Sequence, residues 1–214
     1  MPEPTKEGMN CVRIRLHNED LPEGFFCESA VAIDTETMGL QMPRDRLCLV
    51  QLSTGDGDAD IIQISQSQQS APRLKRLLED PAILKIFHFG RFDIAALKGR
   101  FGYNISPVYC TKIASRLART FTEQHGLQAL CRDLLGIELQ KQLQSSDWGA
   151  IHLTEEQLQY AASDVIHLHA IRQSLDYILQ REGRMKLAEK CFEFLPVRAD
   201  IDLLGWSGKD IFAH

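Results

Sequence analysis

The hydrophobic rhythm of this chain changes once, near residue 70, and that change constrains the fold more than any other feature. Before it, apolar residues alternate or run in short blocks. Residues 11–16 alternate and read as a half-buried strand, and 29–34 form a short apolar run suited to a central strand. Residues 46–53 and 59–64 flank the Gly/Asp-rich turn 54–58 as a hairpin. After it, helical spacing governs 72–79, 92–100, 110–119, 127–135 and 154–180, with one further buried strand at 83–87. Thr154 followed by Glu155, Glu156 and Gln157 predicts a capping-box start for the long helix. Three antiparallel strands followed by alternating helices and strands predict a single α/β domain with a mixed sheet of five to six strands flanked by helices. Residues 1–10 read as a loose tail, 11–180 as the domain, and 181–214 as a further helix followed by a Pro196-containing tail, suited to packing or oligomer contacts.

A chain of 214 residues is long enough to bury one sizeable core. No run approaches the roughly 18 apolar residues of a membrane helix, and MPEPTKEGMNC lacks the layout of a secretory signal, so a cytoplasmic protein with no membrane partner is expected. The six cysteines are scattered without a CxxC pair, which predicts buried free thiols rather than a zinc site. The formal charge of −5 argues against a clamp for long nucleic acid, because phosphate contacts by Lys and Arg supply most of such affinity. Three readings follow: nucleic acid is not the partner, or it is short, or metal ions supply the charge. Residues 91–132 stand apart, with seven basic side chains against two acidic ones.

Three elements carry candidate chemistry. Asp34-Thr-Glu36 ends the apolar run, and on a strand residues i and i+2 share a face, so both carboxylates project together next to Gly39. Two like charges so close are costly unless a cation lies between them. Asp93 follows the strand at 83–87 and opens a helix, where an acid can equally serve as a cap. Tyr160 and Asp164 lie four apart on the long helix, one turn apart on one face. Asp56-Gly-Asp58-Ala-Asp60 begins like a calcium loop, but Ile61 and Ser67 replace the required Gly and Glu, and it reads as a hairpin turn. No GxGxxG or Walker motif occurs.

Taken together, DxE, FD and YxxxD resemble the DEDD 3′–5′ exonucleases, in the subclass with tyrosine in the third motif, over the stretch from Asp34 to Asp164. The histidine subclass would place His where Gln159 stands. The stretches AIDTETMGL, RDRLCLVQLS, FHFGRFDIAAL, YAASDVIHLHAI and DLLGWSGKDIFAH are similar to the ribonuclease D branch and, more closely, to the nanoRNase C family. The resemblance implies a ribonuclease H-like fold. It implies two divalent cations, Mg²⁺ or Mn²⁺, held by Asp34, Glu36, Asp93 and Asp164, with Asp34 bridging and Tyr160 orienting the attacking water. It further implies trimming of very short RNA, dinucleotides included, to 5′-mononucleotides by a ring-shaped homo-oligomer, an octamer. The residues after Asp164 are too few for the carboxyl-terminal helical domains of ribonuclease D.

Thr35, Leu40, His88 and Arg91 are the candidate substrate contacts. Leu40 is either a wedge against the terminal bases or an ordinary core side chain. His88 and Arg91 lie close enough to Asp93 to reach a phosphate or ribose, and Arg116 and Arg119 are candidates for a 5′ phosphate. His167 and His169 read as structural, since hard cations disfavour imidazole. Two alternatives stay open: a general 3′–5′ exonuclease acting on longer RNA or on DNA, and a catalytically dead binding module, which the intact set of acids disfavours.

Overall fold

The strand that carries Asp34 and Glu36 sits inside the sheet, flanked on both sides. The computed structural model describes residues 12–41, 44–139 and 146–214. Its strands are β1 (Ile14–Asn18), β2 (Ala30–Thr37), β3 (Leu47–Ser53), β4 (Ala59–Gln63), β5 (Leu84–Phe87) and β6 (Val108–Cys110), in spatial order β1-β4-β3-β2-β5-β6. β2, β3 and β4 form the antiparallel meander, with Asp34 opposite Gln51 and Gln51 opposite Ile61. Gly55 and Gly57, at φ of +91° and +89°, make the tight β3–β4 turn, a conformation that side chains disfavour. β3 is buried along its whole length, which explains why LCLVQLS reads as an apolar block instead of an alternation. β5 runs parallel to β2 and β6 parallel to β5.

The helices are α1 (Pro72–Glu79), α2 (Arg91–Phe101), α3 (Thr111–Ala118), α4 (Leu127–Leu130), α5 (Glu155–Ile166), α6 (Leu168–Arg181) and α7 (Met185–Ile201). α5 crosses β2, β3 and β4 on one face, over Leu49 and Ile61. The main core fills the other face, where Val31, Ile33, Val50, Leu52 and Ile62 meet Ile94 and Leu97 of α2. This is one α/β domain with the ribonuclease H-like architecture. Among the described residues no helix is long and apolar enough to cross a membrane.

Several expected boundaries move. The alternation at 11–16 becomes a strand only from Ile14, and it pairs in parallel with β4 at the sheet edge. Cys11 and the tail 1–10 lie outside the described residues. The helix expected at 110–119 is preceded by β6, whose three residues are too few to display a period. The helix expected at 154–180 is two, broken at His167, because the apolar spacing runs on through the break and conceals it. The segment 127–135 is α4 followed by a wide π-helical turn, Cys131–Leu135, that ends at Gly136. Pro196 lies inside α7 and not in a tail. Proline removes one helix hydrogen bond, yet Ala188, Phe192, Leu195 and Ala199 bury one face of α7 and carry the helix through. A second π-helical turn, Asp202–Trp206, follows. The described cysteines are free thiols, buried at Cys48, Cys110 and Cys131 and half-buried at Cys27 and Cys191.

Candidate active site

Asp34 and Glu36 point from β2 toward the face that α5 covers. α5 is fixed at its start by the expected capping box: Gln157 N donates to Thr154 Oγ1 at 3.2 Å, and Thr154 N donates to Gln157 Oε1 at 2.8 Å. Two turns on, Tyr160 and Asp164 share one side of the helix. Asp34, Glu36 and Asp164 each bring a carboxylate oxygen within 4.8 Å of the other two. Asp93 arrives from the opposite face, in the first turn of α2, and its Oδ1 accepts a 2.7 Å hydrogen bond from Thr35 Oγ1. Four acids therefore converge at the end of β2 from three separate elements. Their oxygen atoms form a donor set that could hold hard divalent cations.

The electrostatics agree with that use. Burial raises Asp34 well above the usual carboxylate range, and Asp93, Asp164 and Glu36 push it further. Burial, with Asp164 and Asp93, pushes Glu36 up to about 8. Burial pushes Asp93 up to about 7 against the opposing Thr35 hydrogen bond, and Asp164 up to about 7 against the Tyr160 hydroxyl. Burial, then the Asp164 charge, holds the Tyr160 phenol above its ordinary value, so it stays protonated.

The candidate substrate residues fall into two groups. Leu40 is 83% exposed in the loop after β2, so it is not a core side chain, and Met38 beside it is also exposed. His88 follows β5, and its Nδ1 lies 2.8 Å from Thr111 Oγ1. That hydroxyl donates to Phe87 O at 3.1 Å, so His88 Nδ1 carries the hydrogen and Nε2 keeps a lone pair. Burial, then Lys112, lowers His88 to about 3 and keeps it neutral. Thr35 and Arg91 are engaged internally instead. Thr35 is buried against Asp93, and Arg91 grips Asp202 through both carboxylate oxygens and also reaches Ser207 O.

The basic stretch does not form one face. Lys98 pairs with Asp200, and Arg119 and Arg132 both pair with Asp133. Arg119 is only 2% exposed, whereas Arg116 is exposed. His169 Nε2 meets Ser53 O at 3.0 Å against Gly55, a structural contact.

Trp148 is one residue beside the site that sequence reasoning missed. It is buried with Leu49, Ile61 and Ala161, and its ring centroid lies 5.8 Å from that of Tyr160. Gln157 Nε2 holds its segment through Ser146 Oγ and Asp147 O, both at 3.2 Å. Arg46 bonds Gly149 O, and Gly149 lies so close to Met38 Sδ that a Cβ there would overlap it. The one available signal was the rarity of tryptophan, with two in the chain. Gln51 was missed too: it is fully buried opposite Asp34, and its amide has no hydrogen-bond partner among the described residues.

Comparison with known proteins bears on this geometry. A family model described as 3′–5′ exonuclease matches residues 16–180. Ribonuclease D of Granulibacter bethesdensis is 37% identical over 158 residues, which cover 74% of this chain and 40% of that protein. The chain thus spans about two fifths of the length of such curated relatives. NrnC of Brucella melitensis is 55% identical, with a TM-score of 0.91, covering 94% of this chain and 98% of its own. That protein has also been solved with bound Mg²⁺ (54% identity, TM-score 0.90) and bound to pGG (54%, 0.91), each covering 95% of this chain and 100% of its own. Escherichia coli RNase D is 28% identical with a TM-score of 0.71, covering 79% of this chain and 44% of its own. With its acids gathered at the end of β2 and its fold matched over 94% of its length, the chain belongs to the 3′–5′ exonuclease family, in the ribonuclease D-like branch.

Proposed function

We propose that this chain is a cytoplasmic 3′–5′ exoribonuclease that hydrolyses very short RNA, dinucleotides included, to 5′-mononucleotides with two divalent cations, Mg²⁺ or Mn²⁺. One observation carries the reading. Asp34, Glu36 and Asp164 each bring a carboxylate oxygen within 4.8 Å of the other two, and among the described residues the charged neighbours that shift Asp34 and Glu36 are acids. Asp34, Glu36, Asp93 and Asp164 would hold the ions. When bound, such ions lower the pKa of an attacking water and neutralise charge on the phosphoryl oxygens.

The chain's own groups do the rest. Tyr160, kept protonated and backed by Trp148, orients the attacking water beside Asp164. Thr35 holds Asp93 in place through its hydroxyl. Leu40 packs against a terminal base, and His88 Nε2 accepts from a ribose hydroxyl.

A short substrate is supported by the net charge of −5 together with the internal pairing of Arg91, Lys98, Arg119 and Arg132, which leaves little positive surface for a long strand. It is supported too by the relative solved with pGG. The exposed apolar side chains Leu204, Trp206 and Phe212 suit contacts between copies in a ring-shaped homo-oligomer, an octamer. A native mass measurement checks that number.

The test is a length series of 5′-labelled RNA in Mg²⁺, from the dinucleotide upward. Consumption of dinucleotides is expected, and their accumulation overturns the short-substrate reading. The likeness to E. coli RNase D, described as an exoribonuclease involved in structured RNA processing, favours a second reading, trimming of longer RNA or DNA, which the same series separates.

A further inference from the structure

Phe89 stands in the turn between β5 and α2 in a left-handed conformation, φ 63°, which aromatic residues rarely adopt. The turn is forced to be tight, because a Cβ on Gly90 would come within 2.6 Å of Phe87 Cβ. Backbone strain of this kind persists where the surroundings over-determine it, and it clusters at functional sites. Phe87 is fully buried, while Phe89 is 46% exposed. An aromatic held in a costly conformation and presented to solvent contributes little to the core.

Its setting gives it a use. β2, β5 and β6 are neighbouring parallel strands, so their carboxyl ends lie along one edge of the sheet. That edge carries Asp34 and Glu36 on β2, His88 and Phe89 after β5, and Thr111 and Lys112 after β6. With strands about 4.8 Å apart, Lys112 starts roughly 10 Å from the acids and Phe89 lies between. The His88–Thr111 hydrogen bond braces the two loops. Lys112 Nζ sits 4.3 Å from the Phe89 ring centroid, so a cation occupies one side of the ring and the remainder faces solvent.

We propose that Phe89 is a stacking platform for the substrate nucleobase on the 5′ side of the scissile phosphate, with Lys112 as the residue that positions its ring. Every nucleobase has a π-face, so such a platform confers binding without base preference. It completes the edge: the acids take the scissile phosphate, and Phe89 takes the neighbouring base. The assignment rests on the exonuclease reading of the acidic site.

The test compares Phe89→Ala and Phe89→Trp with the unaltered protein on a dinucleotide RNA and on the same dinucleotide lacking its 5′ base. Phe89→Ala is expected to raise KM for the intact dinucleotide at least about fivefold, with kcat changed less than about twofold, and Phe89→Trp to restore it. On the abasic substrate, Phe89→Ala is expected to change nothing. An unchanged KM, an equal loss on both substrates, or failure of Phe89→Trp to rescue overturns the platform, and an equal loss with a lowered Tm marks the ring as a prop for the turn. Loss of the exonuclease reading itself would show separately, as turnover that survives Asp34→Asn.

Discussion

Two aspartates on one sheet, Asp60 buried and Asp34 half-buried, meet opposite electrostatic environments. Asp60 on β4 receives Arg15 Nε and Nη2, each at 2.9 Å, and His17 Nε2 at 2.7 Å. Burial pushes Asp60 upward, but Arg15 and His17 outweigh it and leave the carboxyl below its ordinary value. Asp34 on β2 is half-buried, and among the described residues the charges that shift it are Asp93, Asp164 and Glu36, so all push the same way as desolvation. At an effective dielectric near 20, two unit charges about 4 Å apart interact by roughly 4 kcal/mol. The fold accepts that repulsion at one place on the sheet and neutralises it at the other. Where counter-charge comes from within the chain the acid is structural, and where it is withheld the acids form the site proposed to take a cation.

Substituting one acid on each side gives the largest contrast. Asp34→Asn should lower kcat at least about a thousandfold, since the proposed ions would supply several kcal/mol of transition-state stabilisation. Arg15→Ala should leave kcat within about twofold. Near-normal turnover of Asp34→Asn in Mg²⁺ breaks the contrast.

Acidity is the next lever. Without metal, Glu36, at about 8, and Asp93 and Asp164, at about 7, keep protons that the unfolded chain has released. Stability in EDTA should therefore fall as pH rises from about 4 to about 8, and Mg²⁺ should flatten that slope. Asp60 contributes in the opposite sense, since its lowered value adds stability above the unfolded-state pKa that is lost on acidification. Calorimetry across that range, with and without Mg²⁺, reads the slope, and a metal-free Tm that rises with pH would contradict it.

Tyr160→Phe should slow turnover about a hundredfold while leaving the Mg²⁺ dependence in place, which single-turnover kinetics can separate. Arg15→Ala should cost about 1–2 kcal/mol, because it leaves Asp60 buried without its main partner while the lost guanidinium is itself partly solvated. The smallest effect belongs to Gln157→Ala, which removes half of the capping box at about 1 kcal/mol. It also frees the Trp148 segment, so denaturant melts should shift modestly and the Tyr160 contact should loosen.

Much of the site was legible in the sequence because its chemistry is local. Asp34-Thr-Glu36 needs only strand alternation to bring its acids together, and Tyr160 with Asp164 needs only one helical turn. The capping box at Thr154 is likewise read within four residues. Thr35 shows the opposite case. Its hydroxyl belongs to Asp93, 58 residues away, and nothing in its neighbours says so. Arg91 and Arg119 look free in a basic stretch, yet their partners Asp202 and Asp133 lie on other elements. β6 carries too few residues for any pattern, and it forms because β5 offers it an edge.

What the sequence determined alone was the period of the longer elements, the acids and their likeness to a family, because these depend on spacing along a single segment. What only the tertiary structure decided was which charges are neutralised. Arg15 reaches Asp60 only because β1 docks in parallel beside β4, and among the described residues the fold brings no cationic side chain to pair with the acids of β2, α2 and α5. Charge compensation acts through space at a few ångströms, and the order of strands in the sheet sets those distances.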